Sequence, residues 1–322
     1  MKSICKKIVR SLKMGLIKNL NFLYWLVCKP FGVIAISSCT IQIFNKIFKY
    51  NLGDDLNFYL IKELTGKKII NYNNMGGHFW GITHYTCIGS IFDWCVDSSS
   101  IVWGTGDLFG GNKELVQPQK ICAIRGPLTR KVLLEKGIAC PEIYGDPVLL
   151  LPCVYRPKIE KKYKIGIIPH NADCVSNKIQ ALIKNSNINV HIIKMNNYKS
   201  WKNVVDEICS CECIASSSLH GIIISDAYNI PNVWIKLSND VTGGGGTFKY
   251  FDYFLSVGKQ EVSPIEFIDR EIDIEQIIRK VKEYSPIKIE INKLIESCPF
   301  LNDMKKEELK SKIPYYFNSP FE

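Results

Sequence analysis

Short, uninterrupted apolar runs alternate with amphipathic stretches through most of the chain, and the alternation predicts strands and helices in turn. FGVIAISSC predicts a first buried strand. GDDLNFYLIKELTG predicts a helix, with Asp54 and Asp55 in its first turn and Gly66 just past its end. KKIINYN, SSIVWGTG and KICAIRG predict further strands, and GPLTRKVLLEKGI a helix opened by Pro127. PEIYGDPVLLLP predicts a strand reaching a Gly-Asp-Pro turn, and LPCVYRPK a linker. The pattern then restarts. YKIGIIPH, INVHIIKM, CIASSS and PNVWIKL predict strands, separated by the helices SNKIQALIKNS, WKNVVDEICSC and LHGIIISDAYN. This repeated βαβα rhythm predicts parallel sheets in two similar α/β domains, with a glycine loop at Gly243–Gly246 and a helical tail. The expected divisions are a basic amphipathic segment (1–32), a first domain (33–154), a second domain (155–262) and the tail (263–322).

Length and composition agree with that reading: 322 residues, 46% hydrophobic and 22% charged, are enough for two domains with their own cores. The net charge of +10 is unevenly placed. No acidic residue precedes Asp54, whereas Lys2, Lys6, Lys7, Arg10, Lys13, Lys18, Lys29, Lys46 and Lys49 do. The remaining 32 cations face 31 acidic residues, so the basic character belongs to the N-terminal segment and no nucleic-acid partner is expected. The apolar stretch Phe22 to Cys28 is too short to span a bilayer, and no small-residue cleavage site follows it. Residues 1–30 are therefore read either as an interfacial helix on an anionic membrane or as a helix packed on the domain with a solvated basic face. The thirteen cysteines lack a disulfide spacing, which suits a reducing cytoplasm, and Cys209, Cys211 and Cys213 have no second ligand pair at zinc-like spacing.

In open parallel sheets ligands bind outside the carboxyl ends of strands. The polar residues predicted there are Asn51, Gly53 and Asp54; Gly104, Thr105, Gly106 and Asp107; Arg125; Gly145 and Asp146; His170; and Ser216 to His220. Helix starts at Gly126–Pro127 and Ser218–Leu219 offer unpaired N–H groups to an anion. Arg125 could grip a carboxylate or phosphate, and His220 could act as an acid near neutral pH. No Walker loop, no G-x-G-x-x-G after a strand and no carboxylate cluster for a metal occurs, which argues against kinases, dehydrogenases and metal-dependent transferases.

Seven segments in order, NLGDDLNFYLIKELTGK, IVWGTG, AIRGPLTRKVLLEKGI, YGDPVLLLP, IGIIPH, SSSLHGIIISDAYNIP and FKYFDYFLSVG, resemble the polysaccharide pyruvyl transferases. The resemblance runs from about residue 33 to about 260. It implies a GT-B-like fold, two Rossmann-like domains facing across a cleft. It also implies transfer of the pyruvyl group of phosphoenolpyruvate to a sugar as a ketal, on a cell-surface polysaccharide or its lipid-linked precursor. Carried over by position, it makes Arg125, His220 and Lys249 the donor-binding and catalytic set, with Lys236 a rival to Lys249. Asn51, Gly53, Asp54, Gly104, Gly106, Asp146, His170, Ser217 and Ser218 are the expected substrate-binding positions. Of these, Asp54, Asp146 and the serines are read first as loop and cap residues and only second as chemical participants. His78 and His84 stay open between loop and site. Phosphoenolpyruvate is the co-substrate, with no cofactor or metal, and the expected location is cytoplasmic, peripheral on the inner face of the membrane. Two other readings share the features: a GT-B glycosyltransferase using a nucleotide sugar, and a non-catalytic scaffold for polysaccharide assembly.

Overall fold

A computed structural model describes residues 2–48, 51–76, 80–185, 189–239 and 246–317. The strands in chain order are β1 (Val33–Ile36), β2 (Ile41–Ile43), β3 (Lys46–Phe48), β4 (Lys68–Asn71), β5 (His84–Thr86) and β6 (Ser100–Trp103). They continue as β7 (Lys120–Ala123), β8 (Tyr163–Ile168), β9 (Val190–Ile192), β10 (Cys211–Ser216), β11 (Asn232–Lys236) and β12 (Ile265–Glu266). One five-stranded sheet has the order β4-β1-β5-β6-β7 and a second β12-β11-β10-β8-β9. All their pairings are parallel. Numbered within its own stretch of chain, each sheet has the order 2-1-3-4-5, so the same Rossmann-like arrangement occurs twice.

Strands such as VIAI and YKIGII are apolar on both faces because helices cover both sides of a parallel sheet. The helix Leu52–Thr65 forms where local chemistry favours it. The Asn51 side chain accepts from the Gly53 N–H, Asp54 and Asp55 lie in the first turn, and Gly66 ends it in the left-handed region at φ 67°. The helix Leu219–Ala227 is predominantly apolar and correspondingly buried through Ile222, Ile223 and Ile224.

The two sheets share a hydrophobic cluster that runs from Ile36 and Leu56 to Ile168, Ile214 and Ile223. Backbone and side chains also join them: Leu52 N–H donates to Met195 O at 2.7 Å and Tyr198 Oη to Asp55 at 2.7 Å. The first helix, Lys2–Cys28, is anchored by the buried Asn21, whose amide donates to Gln42 O and Asn74 O.

Two elements differ from expectation. The segment around Tyr144 makes only one bridge to Ile124, because Pro141 and Pro147 remove donors and Asp146 starts a single-turn helix, Pro147–Leu150. Residues 263–322 are not wholly helical, since β12 completes the second sheet beside β11. The helices Ile274–Val281, Ile291–Glu296 and Asp303–Ser311 follow, and Leu294 O accepts from Trp103 Nε1 of the first sheet at 3.0 Å. His78 and the glycines before Gly246 lie outside the described residues.

Candidate active site

A sheet of order 2-1-3-4-5 parts its loops where the strand order reverses, between its first and third strands. Those strands are β1 and β5 in one sheet and β8 and β10 in the other. A cavity of about 340 Å³ opens at both points: Cys39 follows β1, Ser90 follows β5, His170 and Asn171 follow β8, and Ser218 and His220 follow β10. Asn51, Asp54, Trp94 and Lys249 complete its wall.

The helix start at this wall is uncapped. Ser218 makes no side-chain cap bond, contrary to the cap reading of the serines. Ser216 Oγ accepts from the Ser218 N–H at 3.0 Å. Ser217 Oγ accepts from His170 N–H at 2.8 Å and donates to Asp173 at 3.1 Å. The serines therefore tie the loops after β8 and β10 together and leave first-turn N–H groups beside the cavity.

His220 is the second residue of that helix and its side chain is 12% exposed. Its ring lies against Gly53, where an added Cβ would stand 2.2 Å from Nδ1; only glycine fits. Its Nε2 turns away to a buried position 3.9 Å from Asp146 Oδ2, and neither atom has a hydrogen-bond partner. Burial, reinforced by Arg125 and Lys249, pushes its pKa down to about 3. The expectation of an acid titrating near neutral pH is thus corrected, because burial favours the neutral ring. Burial acts oppositely on the carboxyls, raising Asp146 to about 7 and Asp54 to about 6.

Lys249, in the helix Phe248–Ser256, is buried against the cavity without an ion-pair partner among the described residues. Burial and then the Arg125 charge lower its pKa to about 8, while Asp54 works in the opposite direction. The rival Lys236 pairs with Glu266 across β11 and β12, away from the cavity.

Arg125 lies behind the wall. Fully buried, it donates to Asp252 Oδ2 at 3.1 Å, Asp107 O at 3.1 Å and Ser90 Oγ. Asp252 also accepts from the Thr129 backbone N–H and hydroxyl. The guanidinium thus acts on the cavity by its charge and by holding Ser90, rather than by facing it. Gly106 and Gly104, expected at the substrate, are packing positions instead. A Cβ on Gly106 would meet Arg125 at 2.3 Å, and one on Gly104, at φ 96°, would meet Pro147 at 2.3 Å. Ser217 and Asp146 likewise stand behind the wall, whereas Asn51, Asp54, His170, Ser218, His220 and Lys249 reach it.

His84 is a core residue, buried in β5, bonded to Ser100 Oγ at 2.8 Å and stacked on Tyr72. The Cys211 and Cys213 thiols donate to the Glu207 and Lys164 carbonyls, and among the described residues no group of three metal-ligating side chains forms. Sequence reasoning missed Ser90, Trp94 and Asp252. Only Asp252 left a signal: a carboxylate three residues after Lys249 in an otherwise aromatic helix.

Fold and site together define a doubled Rossmann-like α/β protein whose cavity offers an anion the Lys249 ammonium, without an ion-pair partner among the described residues, and an uncapped helix start. Comparison with known proteins narrows this class. Residues 113–239 match the family model described as polysaccharide pyruvyl transferase. The chain is 28% identical over 222 residues to the uncharacterized protein L143 of Acanthamoeba polyphaga mimivirus, covering 65% of this chain and 71% of that one. It is 24% identical over 215 residues to the succinoglycan biosynthesis protein ExoV of Rhizobium meliloti (strain 1021), covering 65% of this chain and 62% of that one. The match agrees with the family resemblance over the four segments that fall inside residues 113–239, AIRGPLTRKVLLEKGI, YGDPVLLLP, IGIIPH and SSSLHGIIISDAYNIP. The matched stretch contains Arg125, Asp146, His170, Ser217, Ser218 and His220, and stops short of Lys249.

Proposed function

We propose that the protein transfers the pyruvyl group of phosphoenolpyruvate to two hydroxyls of a polysaccharide sugar. The observation that carries this reading is the pairing, in one cavity, of the buried Lys249 ammonium with an uncapped helix start and a histidine. Lys249 and the N–H groups at Ser218–Leu219 bind the donor's carboxylate and phosphate. A proton goes to the donor methylene and leaves an oxocarbenium-like centre at C2. The first sugar hydroxyl bonds to C2 and loses its proton. The C2–O bond to phosphate breaks with its electron pair going to the phosphate oxygen, the second hydroxyl bonds to C2 and closes the ketal, and its proton leaves on the phosphate. His220 supplies the proton, and the fixed cations stabilise departing phosphate without reorganising. Asn51, Asp54 and His170 offer bonds to sugar hydroxyls, and the half-exposed Trp94 offers a face for the ring.

The test is incubation with phosphoenolpyruvate and candidate polysaccharide or glycolipid acceptors, reading phosphate release and the added pyruvate mass. Release of a nucleotide from a nucleotide sugar, with no reaction of phosphoenolpyruvate, sinks the reading in favour of a glycosyltransferase.

We further propose that the first helix rests on an anionic membrane where a lipid-linked acceptor is presented. No described helix is long and apolar enough to cross a membrane. Its outer side nevertheless exposes Leu16 (61%), Leu23 (59%) and Val27 (68%), next to Phe31 (82%), in the segment free of acidic residues. Because Asn21, Trp25 and Cys28 are buried, deleting the helix would damage the fold; Leu23→Asp with Val27→Asp is the cleaner probe. Cosedimentation with phosphatidylglycerol vesicles should drop at least about tenfold in that variant. Equal partition of both proteins removes the idea.

A further inference from the structure

Pyruvyl transfer requires a proton from His220, yet burial favours the neutral ring. Its surroundings show where a proton is kept. Nε2 of His220 and Oδ2 of Asp146 are both buried, both unpartnered, and 3.9 Å apart with side-chain exposures of 12% and 0%. An unpartnered buried carboxyl oxygen is costly, and two such atoms facing each other need only about 1 Å of approach to form a hydrogen bond. The other carboxyl oxygen, Oδ1, is already fixed by the Val148 N–H at 3.0 Å, so the carboxyl is held with Oδ2 toward the ring. Gly53 fixes the ring from its Nδ1 side.

We propose that Asp146 is a positioning residue that stores the proton delivered by His220, and that an anion bound in the cavity draws this proton from the carboxyl to Nε2. The proposal rests on the pyruvyl-transfer reading and adds the route of the proton. Burial favours the neutral carboxyl and the neutral ring alike, so below about pH 7 the pair carries one proton, on Asp146. The charges facing the pair are Arg125 and Lys249, both cationic, which oppose an imidazolium; Cys87 and Tyr253, beside Asp146, have acidities so weakened by burial that both stay neutral. A phosphate-bearing anion against Lys249 offsets the two cations. The O–H bond of Asp146 then breaks, an N–H bond forms at Nε2, and a carboxylate–imidazolium pair results. The imidazolium gives up its Nδ1 proton to the substrate, and the proton shed by the attacking hydroxyl refills the pair.

The test reads the ring directly, by ¹⁵N NMR of the full chain at pH 7. The His220 signals are assigned against His220→Gln among the five histidines. Titration with inorganic phosphate should convert the wild-type ring from neutral to doubly protonated, while the Asp146→Asn ring stays neutral at the same phosphate concentration. Asp146→Asn keeps the oxygen that accepts from Val148, and its kcat should fall about 100-fold or more with a displaced pH profile. A wild-type ring unaffected by phosphate, or an Asp146→Asn ring that responds equally, overturns the proposal. If that variant fails to fold, the wild-type titration decides alone. A ring that protonates as expected in a protein that never consumes phosphoenolpyruvate leaves the proton pair standing and removes the pyruvyl-transfer reading.

Discussion

Two buried cations stand near the cavity, and their partners assign them opposite consequences on removal. Arg125 is neutralised by Asp252 and bonded on several sides, so Arg125→Ala leaves a fully buried carboxylate without its counterion. Removing one partner of such a pair costs about 3–5 kcal/mol, and activity should vanish together with thermal stability. Lys249 has no such partner among the described residues, and its charge is held in the fold at a cost that lowers its pKa to about 8. Below that pH both folded and unfolded chains carry the proton and the cost is fully present. Between about 8 and the ordinary lysine value of 10.5 the folded state sheds the proton first and the cost disappears. Lys249→Met should therefore raise stability at pH 7 by about 1–3 kcal/mol, lose this advantage by pH 10.5, and raise KM for phosphoenolpyruvate at least about tenfold. Scanning calorimetry at the two pH values, with steady-state kinetics at pH 7, checks all three statements. A Lys249→Met protein less stable than wild type at pH 7 would show that the ammonium has an uncounted stabilising partner.

At the scale of elements, the helix Leu52–Thr65 and the helix Leu219–Ala227 meet through a glycine and a histidine. Exchanging glycine for alanine inside a helix ordinarily stabilises by about 1 kcal/mol. Gly53→Ala should do the reverse here, because its Cβ would lie 2.2 Å from the His220 ring. In a His220→Ala background the obstruction is gone and the same substitution should become neutral or stabilising. A double-mutant cycle of unfolding free energies measures this, and additive effects would show that the ring moves aside freely. The sequence announced the first of these helices through Asn51, Asp54, Asp55 and Gly66, all local signals. It also showed the strand-to-helix turn at Ser216–His220. It could not show that Gly53 and His220 touch, or that Arg125 pairs with Asp252, since those contacts span 167 and 127 residues and depend on how the sheets pack. The two-residue β12 was illegible for another reason: so short a run has no periodicity to detect.

At the scale of the whole molecule, the doubled 2-1-3-4-5 order was implicit in the alternation of apolar and amphipathic runs, but the shared cavity follows only from facing one switch point to the other. Bringing these loops together removed ionisable groups from water, and the effect should be visible in global stability. His220 has a folded pKa of about 3 against an ordinary 6.5, so the unfolded chain binds a proton in that window that the folded chain refuses. Stability from this group is full above pH 6.5 and falls as pH drops toward 3. Asp146 runs the other way: its folded pKa of about 7 exceeds the ordinary 3.8, so its contribution is greatest below 3.8 and is lost as pH rises through 7. Replacing each group by its neutral amide separates the two. From pH 7 to pH 5, His220→Gln should lose less melting temperature than wild type, because the proton uptake that drives unfolding in acid is gone. From pH 5 to pH 8, Asp146→Asn should lose less than wild type, because no carboxyl must ionise inside the fold. Melting temperatures across that range, measured without phosphate, decide both signs. Parallel curves for wild type and His220→Gln would mean that the histidine titrates as in solution and that the cavity is wet enough to hold its charge.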